Sequence, residues 1–195
     1  AELGADISGS QFLEPDGTFP NHIPNPENQE AMDSIKRAVL ENDADLGIIF
    51  DTDVDRAAIV DKDGTEINRN LLIALLSAII LEEHPRTTIV TDSVTSTGLS
   101  EFIKLRGGKH HRFKRGYKNV INEAIRLNKE GVETHLAIET SGHGAAKENY
   151  FLDDGSYLIA KILIKMAKLN EDGKTISSLI KDLKVPVESK EVRYR

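Results

Sequence analysis

The sequence predicts an α/β fold: a mixed, largely parallel sheet with flanking helices, arranged as a partial first unit followed by one complete domain. Two observations carry this expectation. Helical and extended patterns alternate along almost the whole chain, and the main extended segments are short continuous apolar runs of the kind buried on both faces. Between 87 and 139 the order is strand, helix, strand, helix, strand, which calls for right-handed crossovers and parallel pairing.

Asn25-Pro26-Glu27 places a cap, a first-turn proline and a first-turn acid ahead of Met32, Ile35 and Val39 at helical spacing, predicting a helix over 26–41. A buried strand follows over 46–50, ending in acids, and a second over 57–60, closed by the turn Asp61-Lys62-Asp63-Gly64. The helix predicted from Arg69 to about 83 is apolar on most of its circumference, and the β-branched run 87–91 is a buried strand. Helices near 97–106 and 117–129 then alternate with strands near 109–114 and 135–139, with Gly107-Gly108 ending the first helix. An extended stretch at 149–152, a helix over 156–169 and a short one capped by Thr175 complete the expected set. The domain boundary is expected near residue 68: residues 1–68 hold too few elements to close their own sheet, whereas 69–185 hold a whole layer set, and 186–195 read as a linker.

With 195 residues, 39% hydrophobic and 29% charged, the chain is large enough to bury a core without staples. It has no cysteine, which removes disulfides, thiolate metal sites and cysteine nucleophiles. The longest mostly apolar run, 71–81, is about half of what spans a bilayer, so no membrane association is expected. The net charge of −7 argues against general nucleic-acid binding, which depends on cations neutralising phosphates. The charge is nevertheless uneven. Lys104, Arg106, Lys109, Arg112, Lys114, Arg115 and Lys118 fall in a stretch without a carboxylate, suited either to a small anion or simply to solvent. The chain starts at Ala1 rather than methionine, within what reads as a strand, so the native N-terminus is expected upstream. That leaves targeting unread, with the cytoplasm or an organelle stroma as the expected compartments.

Asp51-Thr52-Asp53-Val54-Asp55-Arg56 follows a buried strand directly, so three carboxylates fall at alternate positions at a strand end, where α/β proteins bind ligands. At an effective dielectric near 20, two such charges about 4 Å apart repel by about 4 kcal/mol, and a cation relieves this. Three hard oxygen donors with no histidine or cysteine nearby favour Mg²⁺. An EF-hand is excluded because the sixth and twelfth positions are Arg56 and Lys62 instead of glycine and glutamate. An acidic turn pointing its charges into water weighs about equally with a metal site. The strand followed by Asp-x-Asp also resembles the haloacid-dehalogenase phosphatases, with Asp153-Asp154 as the later acidic pair, although Asp55 stands where threonine or valine is usual.

A second loop, Glu139-Thr140-Ser141-Gly142-His143-Gly144, again follows a buried strand and gathers a carboxylate, two hydroxyls and an imidazole on a glycine-rich turn. This combination suits sugar hydroxyls, and equally a capped loop with no ligand.

Five segments in order resemble the α-D-phosphohexomutases: "PDGTFPNHIPNPE" (15–27), the metal loop "FDTDVDR" (50–56), the basic turn "KRGYK" (114–118), the sugar loop "ETSGH" (139–143) and "FLDDG" (151–155). The resemblance implies a phosphoglucomutase or phosphomannomutase type of enzyme with four domains around one cleft. There a phosphoserine exchanges its phosphoryl group with a hexose phosphate through a bisphosphate. It further implies that Asp51, Asp53 and Asp55 bind Mg²⁺ and that Arg56 neutralises phosphoryl oxygens. Glu139 and Ser141 would bind sugar hydroxyls, His143 would lie near the reacting hydroxyl, and Lys114 and Lys118 would support substrate binding. The substrate would be a glucose, mannose or glucosamine phosphate. Departures from the pattern are Thr52, Val54 and Ile138 in place of glycines and Tyr117 in place of a histidine found in some members. No Thr-x-Ser-His-Asn-Pro segment and no Arg-x-Ser-Gly-Thr loop occur. The chain is therefore expected to be a fragment, holding the end of domain two and all of domain three, without domains one and four and inactive alone. A non-catalytic module that binds hexose phosphate or metal is the reading from another class.

Overall fold

In the computed structural model, which describes residues 4–188, the first regular element is the helix Gln29–Glu41 (α1). It starts later than its sequence suggests. Asn25 closes a separate turn, its side chain accepting from the Glu27 amide at 2.9 Å, and it is Asn28 that caps the helix by accepting from the Ala31 amide at 3.0 Å. The strands Leu46–Phe50 (β1), Ala57–Asp61 (β2) and Glu66–Ile67 (β3) then form an antiparallel sheet in sequence order.

The helix Arg69–Glu83 (α2) leads to a second sheet built from Thr88–Asp92 (β4), Lys109–Phe113 (β5), Thr134–Ile138 (β6) and Gly144–Ala146 (β7), in the order β5-β4-β6-β7. The first three strands of that order are parallel, as their intervening helices Thr97–Leu105 (α3) and Tyr117–Lys129 (α4) require. β7 runs antiparallel to β6. It is too short and too rich in alanine and glycine to announce itself, and it lies ahead of the extended stretch expected at 149–152. That stretch is instead a 3₁₀ turn over Lys147–Asn149 followed by Tyr150 and Phe151, both left-handed at φ 55 and 56. The chain ends in the helix Gly155–Glu171 (α5) and a 3₁₀ turn over Ile176–Leu179. Of the expected linker, 186–188 have no regular structure and 189–195 lie outside the described residues.

Strand alternation sorts the side chains into three layers. On β2, Ala58 and Val60 join Met32 and Val39 of α1, whereas Ala57 and Ile59 turn the other way, to α2. On β4 and β6, Val90 and Ala137 meet Val120 and Ala124 of α4, whereas Ile89, Leu136 and Ile138 join the α2 side. α2 thus lies between the two sheets, with buried residues at every position from Leu72 to Leu81, which is why it is apolar all round instead of along one stripe. The hydrophobic core therefore runs through residue 68 without a break. Among the described residues no helix is long and apolar enough to cross a membrane.

Candidate active site

Each candidate loop leaves the carboxyl end of a strand: 51–56 follows β1, and 139–143 follows β6. An isolated antiparallel bridge between Arg56 and His143 joins them across the two sheets. Gly142 allows this approach. It sits at φ 101, and a Cβ there would stand 2.9 Å from the Ala57 carbonyl oxygen. Gly155 closes the third side, its amide donating to the Val54 carbonyl at 3.1 Å, with no room for a side chain against that oxygen.

Asp51 is buried, and its carboxylate accepts from Arg56 Nε at 2.6 Å and from the Arg56 amide at 3.1 Å. Burial works against its charge, but the arginine outweighs it and holds Asp51 below the usual carboxylate range. Arg56 Nη1 also reaches Asn25 Oδ1 at 3.3 Å, so the guanidinium is held on two sides. Asp55 is the opposite case. Burial, partly countered by the charge of His143 and reinforced by Asp51 and Asp153, pushes it up to about 6, and its Oδ1 is buried without a hydrogen-bond partner. Ligand oxygens of Asp51, Asp53 and Asp55 all lie within 4.8 Å of one another, with Asp53 exposed. Convergent carboxylates, one of them with an orphaned buried oxygen, fit a hard divalent cation such as Mg²⁺.

In the second loop, Glu139 Oε1 accepts from the Gly116 amide at 2.6 Å, and Ser141 Oγ donates to its other oxygen at 3.4 Å. Burial raises the Glu139 carboxyl, with the Gly116 amide working against that. The Gly116 contact ties the basic turn to the site. Lys114 and Lys118 flank Gly116, both exposed, their ammonium groups 5.9 Å from the Phe113 ring and 5.7 Å from the Tyr117 ring. Tyr117 stacks on His143 with centroids 4.7 Å apart. His143 Nδ1 lies 2.8 Å from Asp153 Oδ2 and 3.5 Å from Asp55 Oδ2. Burial disfavours the imidazolium, but the bond to Asp153 and the charges of Asp153 and Asp55 outweigh burial and raise its pKa.

The structure thus brings Asp51, Asp53, Asp55, Arg56, Glu139, Ser141 and His143 to one place, with Lys114 and Lys118 beside them on the basic turn. It adds three residues that the sequence did not single out for these roles. Asp153 orients His143, Asn25 steadies Arg56, and Asp92, fully buried at the end of β4, accepts from the Thr140 amide at 2.9 Å and hydroxyl at 2.6 Å. Asp153 stood within a quoted motif. Asn25 also stood within a resembling segment, but as a helix cap, and Asp92 carried no signal; neither role here was legible, because their partners lie 31 and 48 residues away. Asp154 caps α5 by accepting from the Tyr157 amide at 3.0 Å, which takes it out of the acidic pair a phosphatase of the dehalogenase type needs.

Fold and site together define an α/β domain pair in which a loop of carboxylates and a glycine-rich loop bearing a carboxylate, hydroxyls and an imidazole meet at the strand ends. The signature "Phosphoglucomutase/phosphomannomutase, alpha/beta/alpha domain II" matches residues 3–64, and that of domain III matches residues 68–185. The chain belongs to the phosphoglucomutase/phosphomannomutase family. It is 32% identical over 185 residues to a phosphoglucomutase of Neisseria gonorrhoeae, covering 94% of this chain and 39% of that protein. It is 35% identical over 162 residues to a phosphomannomutase/phosphoglucomutase of Pseudomonas syringae pv. tomato, covering 83% and 34%. A crystal structure of a phosphoglucomutase/phosphomannomutase family protein from Burkholderia thailandensis superposes with a TM-score of 0.76 at 31% identity, over 88% of this chain and 36% of that one. The chain therefore spans less than two fifths of the length of these relatives.

Proposed function

We propose that this chain supplies the metal-binding and sugar-binding portion of a Mg²⁺-dependent phosphohexomutase. The reaction moves a phosphoryl group between C1 and C6 of a glucose, mannose or glucosamine phosphate by way of a phosphoserine and a bisphosphate. The observation that carries this reading is the Arg56–His143 bridge, which sets the carboxylate loop and the hydroxyl-reading loop side by side across two sheets. Asp51, Asp53 and Asp55 would hold Mg²⁺, and the ion would supply Lewis-acid stabilisation of a phosphoryl oxygen. Arg56, fixed by Asp51 and Asn25, keeps a positive charge beside that position at no cost in reorganisation. Glu139 and Ser141 offer acceptors and a donor to sugar hydroxyls, and Lys114 and Lys118 offer charge to a substrate phosphate. His143 is oriented through Nδ1 by Asp153, which leaves Nε2 to exchange a proton with a hydroxyl.

The metal assignment is tested by NMR titration of the chain with Mg²⁺. Amide shifts confined to 51–56 are expected, with weak affinity, and their loss in Asp53→Asn. Shifts that are absent, or unchanged in the variant, would reduce the three aspartates to a solvated turn. The chain alone should show no mutase turnover, because it lacks the serine motif that provides the covalent route. Bisphosphate-dependent interconversion of hexose phosphates in proportion to the amount of pure chain would overturn the reading as a portion of a larger active site.

A further inference from the structure

We infer that Asp55, His143 and Asp153 form a second cation site, one that takes a borderline transition metal such as Zn²⁺ or Co²⁺ and shares Asp55 with the aspartate loop. A ligand atom from each of the three lies within 4.8 Å of the other two. Bonds of about 2.0–2.1 Å in a tetrahedron set neighbouring ligand atoms about 3.3 Å apart. The two separations here, 2.8 Å from His143 Nδ1 to Asp153 and 3.5 Å from His143 Nδ1 to Asp55, fall on either side of that value, so a metal requires only small side-chain shifts.

The donors are also held for the purpose. Tyr117 stacks on the His143 ring, and the bridge to Arg56 fixes its backbone. The Gly144 amide donates to Asp153 Oδ1 at 3.0 Å, leaving Oδ2 facing the imidazole. Asp55 presents Oδ2 to His143 Nδ1 while its Oδ1 lies 3.9 Å from Arg56 Nε, so one oxygen of this carboxylate faces each neighbour. One nitrogen and two oxygens with a fourth position open is a donor set that ranks Zn²⁺ and Co²⁺ above Mg²⁺, whereas the three carboxylates of the aspartate loop suit Mg²⁺. Because Asp55 belongs to both sets, the two sites exclude each other. The exclusion of Mg²⁺, and the inhibition that withdrawal of Asp55 and His143 would cause, rest on the functional reading above; the cobalt site itself does not. A third cluster, Glu83, His84 and Glu148, does not compete, because the Lys161 ammonium sits 2.6 Å from Glu83 and 2.5 Å from Glu148.

The test is a Co²⁺ titration of the untagged full chain followed by visible absorption, in which cobalt of low coordination number absorbs far more strongly than octahedral cobalt. The expected result is one equivalent of strongly absorbing Co²⁺, displaced by Zn²⁺ and suppressed by excess Mg²⁺. His143→Asn and Asp153→Asn should each weaken Co²⁺ binding about tenfold or more. Asp53→Asn should keep the cobalt spectrum while losing its suppression by Mg²⁺, and His84→Ala should change nothing. The proposal falls if the spectrum survives both His143→Asn and Asp153→Asn, if it disappears in His84→Ala, or if only weak octahedral absorption appears and is lost in Asp53→Asn. Absence of suppression by Mg²⁺, with the strong cobalt spectrum and its dependence on His143 and Asp153 intact, would instead count against the functional reading alone.

Discussion

Val54 occupies the left-handed region at φ 64, a conformation that β-branched residues rarely adopt. In this conformation its carbonyl reaches the Gly155 amide while Asp53 and Asp55 converge with Asp51 on the other side of the loop. The cost to an L-residue is about 1–2 kcal/mol, of which glycine would return all but its own entropic penalty of about 0.5–1 kcal/mol. Val54→Gly is therefore expected to raise stability by about 0.5–1 kcal/mol, seen as a higher urea midpoint with unchanged slope. Asp55 makes a second prediction at this scale. Its carboxyl is raised from 3.8 to about 6 in the fold, so its contribution to stability is full below about pH 4 and is lost as pH rises through 6. His143, also raised, adds a loss in the same direction at higher pH. Asp55→Asn should be more stable than the parent at pH 8 and show little difference at pH 4, in metal-free urea melts at both values. A variant equally destabilised at both pH values would mean that burial is not what raises this carboxyl.

Among the elements, those with a long continuous signal were legible in the sequence. α2 and α4 have the expected bounds, and β1, β2, β4, β5 and β6 lie within one residue of their predicted ends. Gly107, at φ 80, ends α3 with the Gly108 amide bonded to the Ile103 carbonyl, as its position suggested. What was not legible depended on partners far along the chain. β7 is three small residues that become a strand only because β6 offers an edge, and Tyr150 and Phe151 turn left-handed to bring Asp153 back to His143. The same distinction holds within the site. The residues at alternate positions of one loop could be read, whereas their tertiary tethers Asn25, Asp92 and Asp153 could not. The start of α1 shows the limit of cap signals, since Asn25-Pro26 and Asn28 both fit the pattern and only the hydrogen bonds separate them. Asn28→Ala should cost about 1 kcal/mol through loss of the cap to Ala31, measured by chemical denaturation. If helical signal and stability are unchanged, the cap contributes nothing and the helix start is set by packing of Met32 alone.

At the scale of the whole molecule, the two family signatures meet between residues 64 and 68, yet the contacts on either side form one body. Ile59 and Ile67 belong to the same buried cluster as Leu75, Leu136 and Ile159, so β2 and β3 use α2 as their second covering layer. Polar ties cross the same line, among them Asp61 with Ser177, Val54 with Gly155, Arg56 with His143, Asp55 with His143 and Glu27 with Arg69. A three-stranded antiparallel sheet covered by α1 on one face alone would leave Ala57, Ile59 and Ile67 in water. It follows that the N-terminal elements draw their stability from the second unit and that the chain should unfold in one transition. The sharpest test uses Ile59, fully buried in β2. Ile59→Ala should cost about 2–5 kcal/mol, because the site is walled by strand and helix and closes poorly around a cavity. In native-state hydrogen exchange, that loss should appear in the protection of the most buried amides of α2, β4 and β6 as well as in β1 and β2, since all share one global opening. If protection falls only in the amides of 46–67 while β4 and β6 keep theirs, the first sheet opens on its own, and the continuous core is a contact between two independently stable layers instead of a single cooperative unit.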